Sequence, residues 1–407
     1  MNNKSQMALL LAGLVSLQGS LAQDALDDPA IEDVDEATML GRDRTWRLGL
    51  GIAAEYDDNI YRTPENEENS FKVQLRPRFQ WEMPLGPFRY TLNLQTEFGF
   101  FDAESSNDYF DQVLSAQVGW SPDIRHNFNF GGSFTTSHDP LGTNRTDSIV
   151  DEDQDPDEWY QWSLDGKYLF GAPEARGNLE FRGGYARKAY TNNEEVTNFL
   201  DRRTFNLGSS FYYRVAPATR AVISADYEDT DYDDTRTDGG DRGFQVYRLR
   251  AGVTWLATAK TSGEVLGGYY WTDFEDSSQG DSEGFDWRIN INWLPRTYST
   301  FTLTSGLNFV DGNTRDTTTV ETRDVGLSWD HQWRDRIGSN AYVEYIRADH
   351  EGIDREDSIL GFGASVDYAL GRNYGLGAGY RFTDRDSDDD IYDFSRNVFF
   401  VEFNAEF

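Results

Sequence analysis

The chain has no cysteine among its 407 residues. A disulfide framework is therefore excluded, although an exported protein could carry one. No apolar run approaches the ~18 to 20 residues that a membrane-spanning helix needs.

The four histidines are scattered, and no Ser or Cys forms a recognisable nucleophile motif beside them. We therefore predict that the protein is not an enzyme and has no metal site and no cofactor. The remaining catalytic alternative is a barrel hydrolase, whose site residues need not form a sequence motif because they come together only in the folded barrel.

Positive charge is also scarce. The chain has 37 Lys and Arg against 71 Asp and Glu, which gives a formal net charge of −34. Most of the excess acid lies in six segments: 24–43, 57–70, 138–158, 228–241, 273–286 and 383–393. The segments between them are nearly neutral. A strongly acidic protein repels phosphate, so we predict no nucleic acid as a partner.

The N-terminus has the features of an export signal. An apolar run over 8–17 is followed by the small residues Ser20 and Ala22, at the spacing that a signal peptidase accepts. We therefore expect 1–22 to be a signal peptide. The acidic segment 23–43 should then lie in the periplasm.

The remaining residues, 44–407, alternate between apolar and polar with a period of two, which is typical of strands. Eighteen such stripes can be traced; the thirteenth, for example, consists of Phe301, Leu303, Leu307 and Phe309. The stripe over 262–274 is weak, so sixteen strands is the alternative count. Brief turns alternate with the long acidic loops. The pattern predicts an all-β protein, a transmembrane antiparallel β-barrel with its long loops outside the cell and both termini in the periplasm.

The last stripe ends on an aromatic residue, as the closing strand of an outer-membrane barrel does. It consists of Phe399, Val401, Phe403, Ala405 and Phe407. We predict that this stripe contacts outer-membrane lipid and is the signal for the barrel-assembly machinery. A secreted β-sandwich is the alternative. The 11 Trp and 22 Tyr, several of them at stripe ends, favour the aromatic belts of a barrel in the bacterial outer membrane.

The strand faces opposite the apolar stripes carry nine basic residues that we predict to line the pore: Lys72, Arg76, Arg78, Arg89, Arg182, Lys188, Arg248, Arg250 and Arg288. In one interpretation they form a track for an anionic solute or polymer, because guanidinium groups bind carboxylate and phosphate through two hydrogen bonds. In the other interpretation they only hydrogen-bond across a wide polar interior. The sequence leaves both open.

Two acidic runs, 229–241 and 386–390, superficially suggest calcium, which binds several carboxylate oxygens. The first run lacks the order of an EF-hand loop and its closing Glu. We therefore interpret both runs as solvated loops.

The first hairpin, 48–62, contains the run Tyr56-Asp57-Asp58-Asn59-Ile60-Tyr61. With this run it resembles the start of the β-barrel porin family that is associated with exopolysaccharide and capsule gene clusters. The resemblance implies an outer-membrane channel that works with periplasmic polysaccharide-export proteins to release a polysaccharide. It carries over no catalytic residue.

Three functions remain in view. The leading hypothesis is a passive conduit that exports an exopolysaccharide or capsular polysaccharide. The alternatives are a diffusion porin for small solutes and a surface adhesin or scaffold with a plugged barrel. We expect a diffusion porin to fold one long loop into the lumen, with 138–158 as the candidate, and a polymer conduit to keep its bore clear.

Overall fold

The computed structural model describes residues 45–102, 105–147, 155–237, 239–258, 260–276, 281–312 and 314–407. Over these ranges the chain forms eighteen β-strands in one closed antiparallel sheet. The predicted eighteen-stranded barrel is confirmed, and the alternative of sixteen strands is wrong. The predicted signal peptide, 1–22, and the acidic segment, 23–43, lie outside the described residues.

The strands are 12 to 16 residues long. Their bounds are β1 (Trp46–Asp57), β2 (Ser70–Leu85), β3 (Phe88–Phe101), β4 (Tyr109–Asp123), β5 (His126–Asp139), β6 (Asp157–Phe170), β7 (Gly177–Tyr190), β8 (Arg202–Ala216), β9 (Thr219–Tyr232), β10 (Phe244–Thr258), β11 (Thr261–Phe274), β12 (Ser282–Arg296), β13 (Ser299–Asp311), β14 (Thr319–Arg334), β15 (Ile337–Glu351), β16 (Glu356–Ala369), β17 (Tyr374–Ser387) and β18 (Phe394–Glu406). The described connections hold one α-helical turn, α1 (Glu194–Thr197), and 3-10 turns at Ser105–Asn107, Asn144–Thr146, Asn198–Leu200 and Asp390–Tyr392. None of the described helices is both long and apolar enough to cross a membrane.

Each strand pairs with its neighbours in sequence, and β1 closes the ring by pairing with both β2 and β18. Leu48 and Phe407 exchange backbone hydrogen bonds, with N–O distances of 2.8 and 3.3 Å. β1 therefore begins where β18 ends, at the same end of the barrel as the brief turns 86–87 and 297–298. We call this the short-turn end and the other the long-loop end. That the short-turn end faces the periplasm stays a prediction.

The outer face has the alternation that the sequence predicts, with apolar side chains exposed on every second residue. Near the short-turn end, four aromatic rings on four successive strands lie side by side: Phe88, Trp120, Phe128 and Tyr168, with centroids 6.0, 4.8 and 4.5 Å apart. Other pairs lie toward the long-loop end, such as Tyr227 and Tyr247 at 5.1 Å. Two belts of this kind are typical of a barrel that spans a bilayer.

The weak eleventh stripe belongs to a complete strand, β11. Its outward residues Tyr269 and Trp271 are exposed, as the pattern requires. Its inward residues Leu266, Tyr270 and Phe274 are also apolar or aromatic, and all three are buried. Two apolar faces blur the alternation, because the inward face of β11 packs inside the barrel instead of facing water.

β12 and β13 separate before they reach the long-loop end. Their pairing stops at Arg288↔Gly306, although β12 begins at Ser282 and β13 continues to Asp311. β13 stays paired with β14 along its full length. The outer part of the β13–β14 hairpin therefore separates from β12 while it stays paired with β15.

This separation corrects the expected thirteenth stripe. Leu307 and Phe309 were expected to face lipid, but Leu307 is buried and Phe309 packs against a buried cluster inside the barrel. That cluster consists of Tyr232, Phe244, Val246 and Phe274. The expectation is wrong because a period of two shows which side of a strand a residue occupies. It does not show whether that part of the hairpin lies in the barrel wall or inside the barrel.

Candidate functional site

The candidate site is the barrel interior and its mouth at the long-loop end. The nine basic residues predicted to line the pore all lie on the strand faces opposite the exposed apolar stripes. Six of them form ion pairs: Lys72 with Glu55 (2.9 Å), Arg76 with Glu97 (3.1 Å), Arg89 with Glu82 (3.7 Å), Arg182 with Asp226 (2.6 Å), Arg248 with Glu228 (3.7 Å) and Arg250 with Asp286 (2.6 Å).

The pairs continue into networks that follow the wall. Glu55 on β1 contacts Lys72 and also Arg381 of β17, at 2.5 Å. Arg76 reaches Glu402 of β18 at 3.7 Å in addition to its main partner. These side chains lie along the wall and satisfy one another, so each cation is matched by carboxylates from neighbouring strands.

A second network lies on the wall formed by β7 to β12. Asp226 on β9 joins Arg182 at 2.6 Å and Arg250 at 3.5 Å, and Arg250 binds Asp286 of β12. Arg250 and Asp286 are buried. An ion pair removed from water needs close partners on both sides, and this network supplies them.

The other three predicted residues are held differently. Arg78 donates a hydrogen bond of 3.3 Å to Asn404, and Lys188 lies 4.2 Å from the centre of the Trp159 ring. Arg288 is exposed to the lumen, and no ion pair joins it to a carboxylate in the described part of the chain. Over the described residues the interior is thus a wall of both charge signs. That these nine residues conduct a solute stays a prediction.

One long loop crosses the mouth. Asp147 lies in the loop between β5 and β6, and its carboxylate binds Arg355 at 2.9 Å and Arg385 at 2.5 Å. Arg355 comes from the loop between β15 and β16, and Arg385 from the inward face of β17, six strands from β5 around the ring. All three side chains are buried. We call Asp147, Arg355 and Arg385 the Asp147 clamp; it holds this loop, which starts at residue 140, across part of the opening.

The loop between β1 and β2 packs against the β5–β6 loop next to the clamp. Ile60 and Tyr61 pack with Leu141 in a buried cluster, and Arg62 donates a hydrogen bond of 3.0 Å to the Leu141 carbonyl. Burial lowers the pKa of Arg62 to about 9. Gly142 has a φ of +76°, and a Cβ there would overlap the Tyr61 carbonyl, so only glycine lets the two loops approach this closely.

The run that carries the family resemblance builds that supporting loop. Asp57 accepts hydrogen bonds from Arg396 of β18 at 2.9 and 3.0 Å. Asn59 is fully buried and donates hydrogen bonds to the carbonyls of Thr63 (2.9 Å) and Ser395 (3.0 Å). The motif therefore has a structural role: it fixes the first loop to the last strand and prepares the surface on which the β5–β6 loop rests.

A second segment fills the mouth from the other side. We call residues 307–312 and 314–322, the outer ends of β13 and β14, the hairpin tip. Thr318, Thr319 and Val320 are 0% exposed. One face of the tip packs Val310 and Val320 against Ala348 of β15, and the other packs Phe309 against the inward face of β9 to β11. Burial on both faces places the tip inside the barrel mouth.

Polar contacts tie the hairpin tip to β8 and to the loop between β9 and β10. Arg242, 0% exposed, donates hydrogen bonds to the carbonyls of Thr314 (3.1 Å), Thr317 (2.9 Å) and Phe199. Burial lowers the pKa of Arg242, which contacts backbone carbonyls here. Arg202 of β8 forms an ion pair with Asp311. The tip therefore spans from β13 to β8.

Sequence reasoning missed the residues that close the mouth. Asp147 and Arg385 stand in the segments 138–158 and 383–393, which the sequence predicts to be acidic loops, and Arg242 and Arg355 lie outside the predicted loops. The structure places Arg385 on β17 instead of in a loop, and the sequence does not show which loops fold inward. In the described residues, no group of three or more His, Asp or Glu side chains is arranged to hold a metal ion.

The C-terminal stripe keeps one face over its whole length. Phe399, Val401 and Phe407 are exposed on the outer surface. Phe403 stacks with Tyr374 of β17, and Ala405, which pairs with Tyr374 and Leu50, is buried among its neighbours. Its role as an assembly signal stays a prediction.

Comparison with known proteins gives one family match. The family model described as "Putative beta-barrel porin 2" matches residues 48–407. No curated protein matches the sequence.

Several solved structures are similar to the chain at low identity. OccK2 (OpdF) of Pseudomonas aeruginosa is 10% identical, with 89% of this chain and 98% of that chain covered and a TM-score of 0.48. A mutant of the ferric enterobactin receptor PfeA of the same species is 8% identical, with 90% and 81% covered and a TM-score of 0.44. The siderophore receptor PirA of Acinetobacter baumannii is 7% identical, with 88% and 80% covered and a TM-score of 0.44. These identities are too low to transfer a substrate.

Proposed function

Since the chain belongs to the family described as "Putative beta-barrel porin 2", and is thus an outer-membrane β-barrel channel, we propose that it serves as a diffusion porin for small hydrophilic solutes. The observation that carries the proposal is the Asp147 clamp, which holds a long loop across the mouth. A loop in this position narrows a wide barrel to an opening suited to small molecules. A polymer would need a clearer bore.

The charges of the wall support the same proposal. Six of the nine basic residues are paired with carboxylates, so the interior offers alternating charges and hydrogen-bonding groups instead of a continuous basic track. Such a wall replaces part of the hydration of a polar solute without holding one charge sign tightly. We therefore expect weak charge selectivity.

A liposome-swelling series tests the proposal. Purified protein is reconstituted, and uptake is compared for a pentose, a disaccharide and dextrans of increasing size. We expect the rate to fall steeply between the disaccharide and the smallest dextran. If dextran enters as readily as the pentose, the diffusion porin is the wrong function.

Polysaccharide export remains a second candidate, because the first hairpin resembles the family associated with exopolysaccharide and capsule gene clusters. In that role the channel would work with periplasmic polysaccharide-export proteins, and the loop at Asp147 and the hairpin tip would have to move aside for the polymer. A deletion strain separates the two functions. Loss of a secreted polysaccharide with normal uptake of small solutes supports export, and the reverse supports the porin.

The orientation of the channel has its own test. Asp234 lies at the long-loop end and Asp335 at the short-turn end. With a cysteine at either position, an impermeant thiol reagent added to intact cells should label the first variant and spare the second. The reverse labelling would place the short-turn end outside.

A further inference from the structure

We infer that the hairpin tip is a gate with two positions, one tucked into the mouth as the structure shows it and one paired with the outer half of β12 in the barrel wall. The inference goes beyond the proposed function and does not depend on which solute passes. It rests on the register of β12 and β13, on the burial of the tip and on the sequence of the two strands.

The first argument is the register. The pairing of β12 with β13 stops at Arg288↔Gly306. If it continued in the same register, Trp287 would lie opposite Leu307, Phe285 opposite Phe309 and Glu283 opposite Asp311. All three pairs would lie on the outward face, next to the outward residues Ile289 and Ile291 of the paired half. The first two pairs are apolar and suit a longer ladder than the tucked position uses, whereas the third places two carboxylates opposite each other and disfavours pairing at the outer end.

The second argument is the edge that the tucked position leaves. Among the residues that the structure describes, no strand pairs with the outer half of β12 on its β13 side, and Phe285 is 63% exposed. An unpaired strand edge is unfavourable in a membrane and exposed in water, and the paired position would remove it. The tucked position therefore has a cost that some other contact offsets.

Contacts inside the mouth offset that cost. Tyr270 donates a hydrogen bond of 2.6 Å to Glu321, and the Arg248 guanidinium lies 5.3 Å from the centre of the Phe309 ring. Phe309 and Leu307 are covered by the interior in the tucked position and by lipid in the paired one. Leu307 and Phe309 are thus out of water in both positions, but the cluster of Tyr232, Phe244, Val246 and Phe274 is covered only in the tucked one. Packing on this cluster favours the tucked position and completion of the ladder favours the paired one, and opposing contributions of this kind are the condition for a two-state element.

The strand pairing also indicates where the hairpin would bend between its two positions. β14 remains paired with β15 as far as Thr319↔Glu351, so the hairpin is attached on that side and free on the β12 side. Gly306 is the last residue of β13 that pairs with β12, and Gly326 of β14 lies opposite Thr304. Glycines on both strands at this level permit the change of backbone direction.

Disulfide trapping tests the paired position, and the absence of native cysteine removes any background. In the double variant Glu283→Cys/Asp311→Cys, the two side chains face each other only when the ladder is complete. We expect oxidation in outer membranes to form the disulfide and to raise single-channel conductance, with reduction reversing both. The matched control is Glu283→Cys/Val310→Cys, which is one residue out of register and places the thiols on opposite faces, so it should form no disulfide.

A second measurement leaves Asp311 intact, because the first variant removes the ion pair between Asp311 and Arg202. It uses the variant Thr318→Cys, since Thr318 is 0% exposed in the tucked position. We expect a water-soluble thiol reagent to label it slowly and completely in folded protein, and faster when Phe309→Ala is added. Heat-modifiable mobility in gels confirms that each variant is folded. If Thr318→Cys stays unlabelled, or if the in-register pair forms no more disulfide than the control pair, the hairpin tip is a fixed plug and the inference is wrong.

Discussion

The two segments that cross the mouth are held by different combinations of contacts. The β5–β6 loop depends on the Asp147 clamp, in which one buried carboxylate binds two buried guanidinium groups. The hairpin tip adds apolar packing around Phe309 and Val320 to the hydrogen bonds that Arg242 donates to its carbonyls. Both segments narrow the opening, but we expect them to respond differently when one of their contacts is lost.

Buried ion pairs and apolar contacts differ in whether lipid or solvent can replace a partner that is lost. Charges removed from water need their partners, and no solvent or lipid substitutes for a missing carboxylate in a buried pair. Apolar contacts are non-directional, and lipid serves as well as a protein interior. We therefore expect the clamp to hold its loop in one position and the hairpin tip to exchange between two.

The largest effect should follow from Asp147→Ala. The substitution leaves Arg355 and Arg385 buried without a shared partner, and breaking such a pair costs about 3 to 5 kcal/mol. Amide hydrogen exchange over 141–147 should accelerate strongly while the hairpin tip stays protected. Asp155→Ala, at an exposed position in the same loop, is the control and should change neither. Equal exchange in both variants would mean that the clamp does not hold the loop.

An intermediate effect should follow from Phe309→Ala. It removes the ring that packs against the buried cluster and lies edge-on to Tyr270, and it destabilises the tucked position by up to about 3 kcal/mol. Exchange should accelerate in the hairpin tip, and the β5–β6 loop should stay protected. Phe301→Ala, on the same face of the same strand but outside the mouth, is the control. Acceleration in both loops would show that the two segments close the mouth as one unit.

The smallest effect should follow from Arg315→Ala. Arg315 pairs with Asp234 at 2.8 Å, and both side chains are about one-third exposed. Exposed pairs of this kind contribute about 0.2 to 1 kcal/mol, and salt screens them. Thiol labelling of Thr318→Cys should be at most slightly faster in this background, and 1 M NaCl should remove the difference. If Arg315→Ala accelerated labelling as much as Phe309→Ala does, ionic contacts would hold the hairpin tip, as they hold the β5–β6 loop, and the expected difference between the two segments would be wrong.

Most of the barrel could be predicted because its signals are local. Trp46 to Tyr56 alternate on one strand, and each such stripe needs only the pleat of the backbone to place it on the outer face. β11 was the weakest prediction, since Leu266 and Phe274 on its inward face pack against other parts of the interior. The stripe on β13 was wrong beyond Ser305 for a related reason. A neighbouring strand, and not β13 itself, decides whether Leu307 faces lipid.

The prediction of the pore-lining residues has the same limit: it gives the face of each residue but not its partners. Period two is enough to assign Lys72, Arg76 and Arg250 to the inward face. It does not show that Glu55, Glu97 and Asp286 lie within ion-pair distance of them, because those partners come from other strands whose register depends on the whole sheet.

The sequence by itself determined the strands, their outward and inward faces and their number, because alternation, turn residues and aromatic ends act within a few residues of one another. Only the tertiary structure decided how the mouth is closed. Asp147 meets Arg355 and Arg385 across 208 and 238 residues of chain, and Asp311 of β13 meets Arg202 of β8 across 109. Contacts over such distances exist only once the ring has closed, since closure brings both sides of the barrel to the same opening.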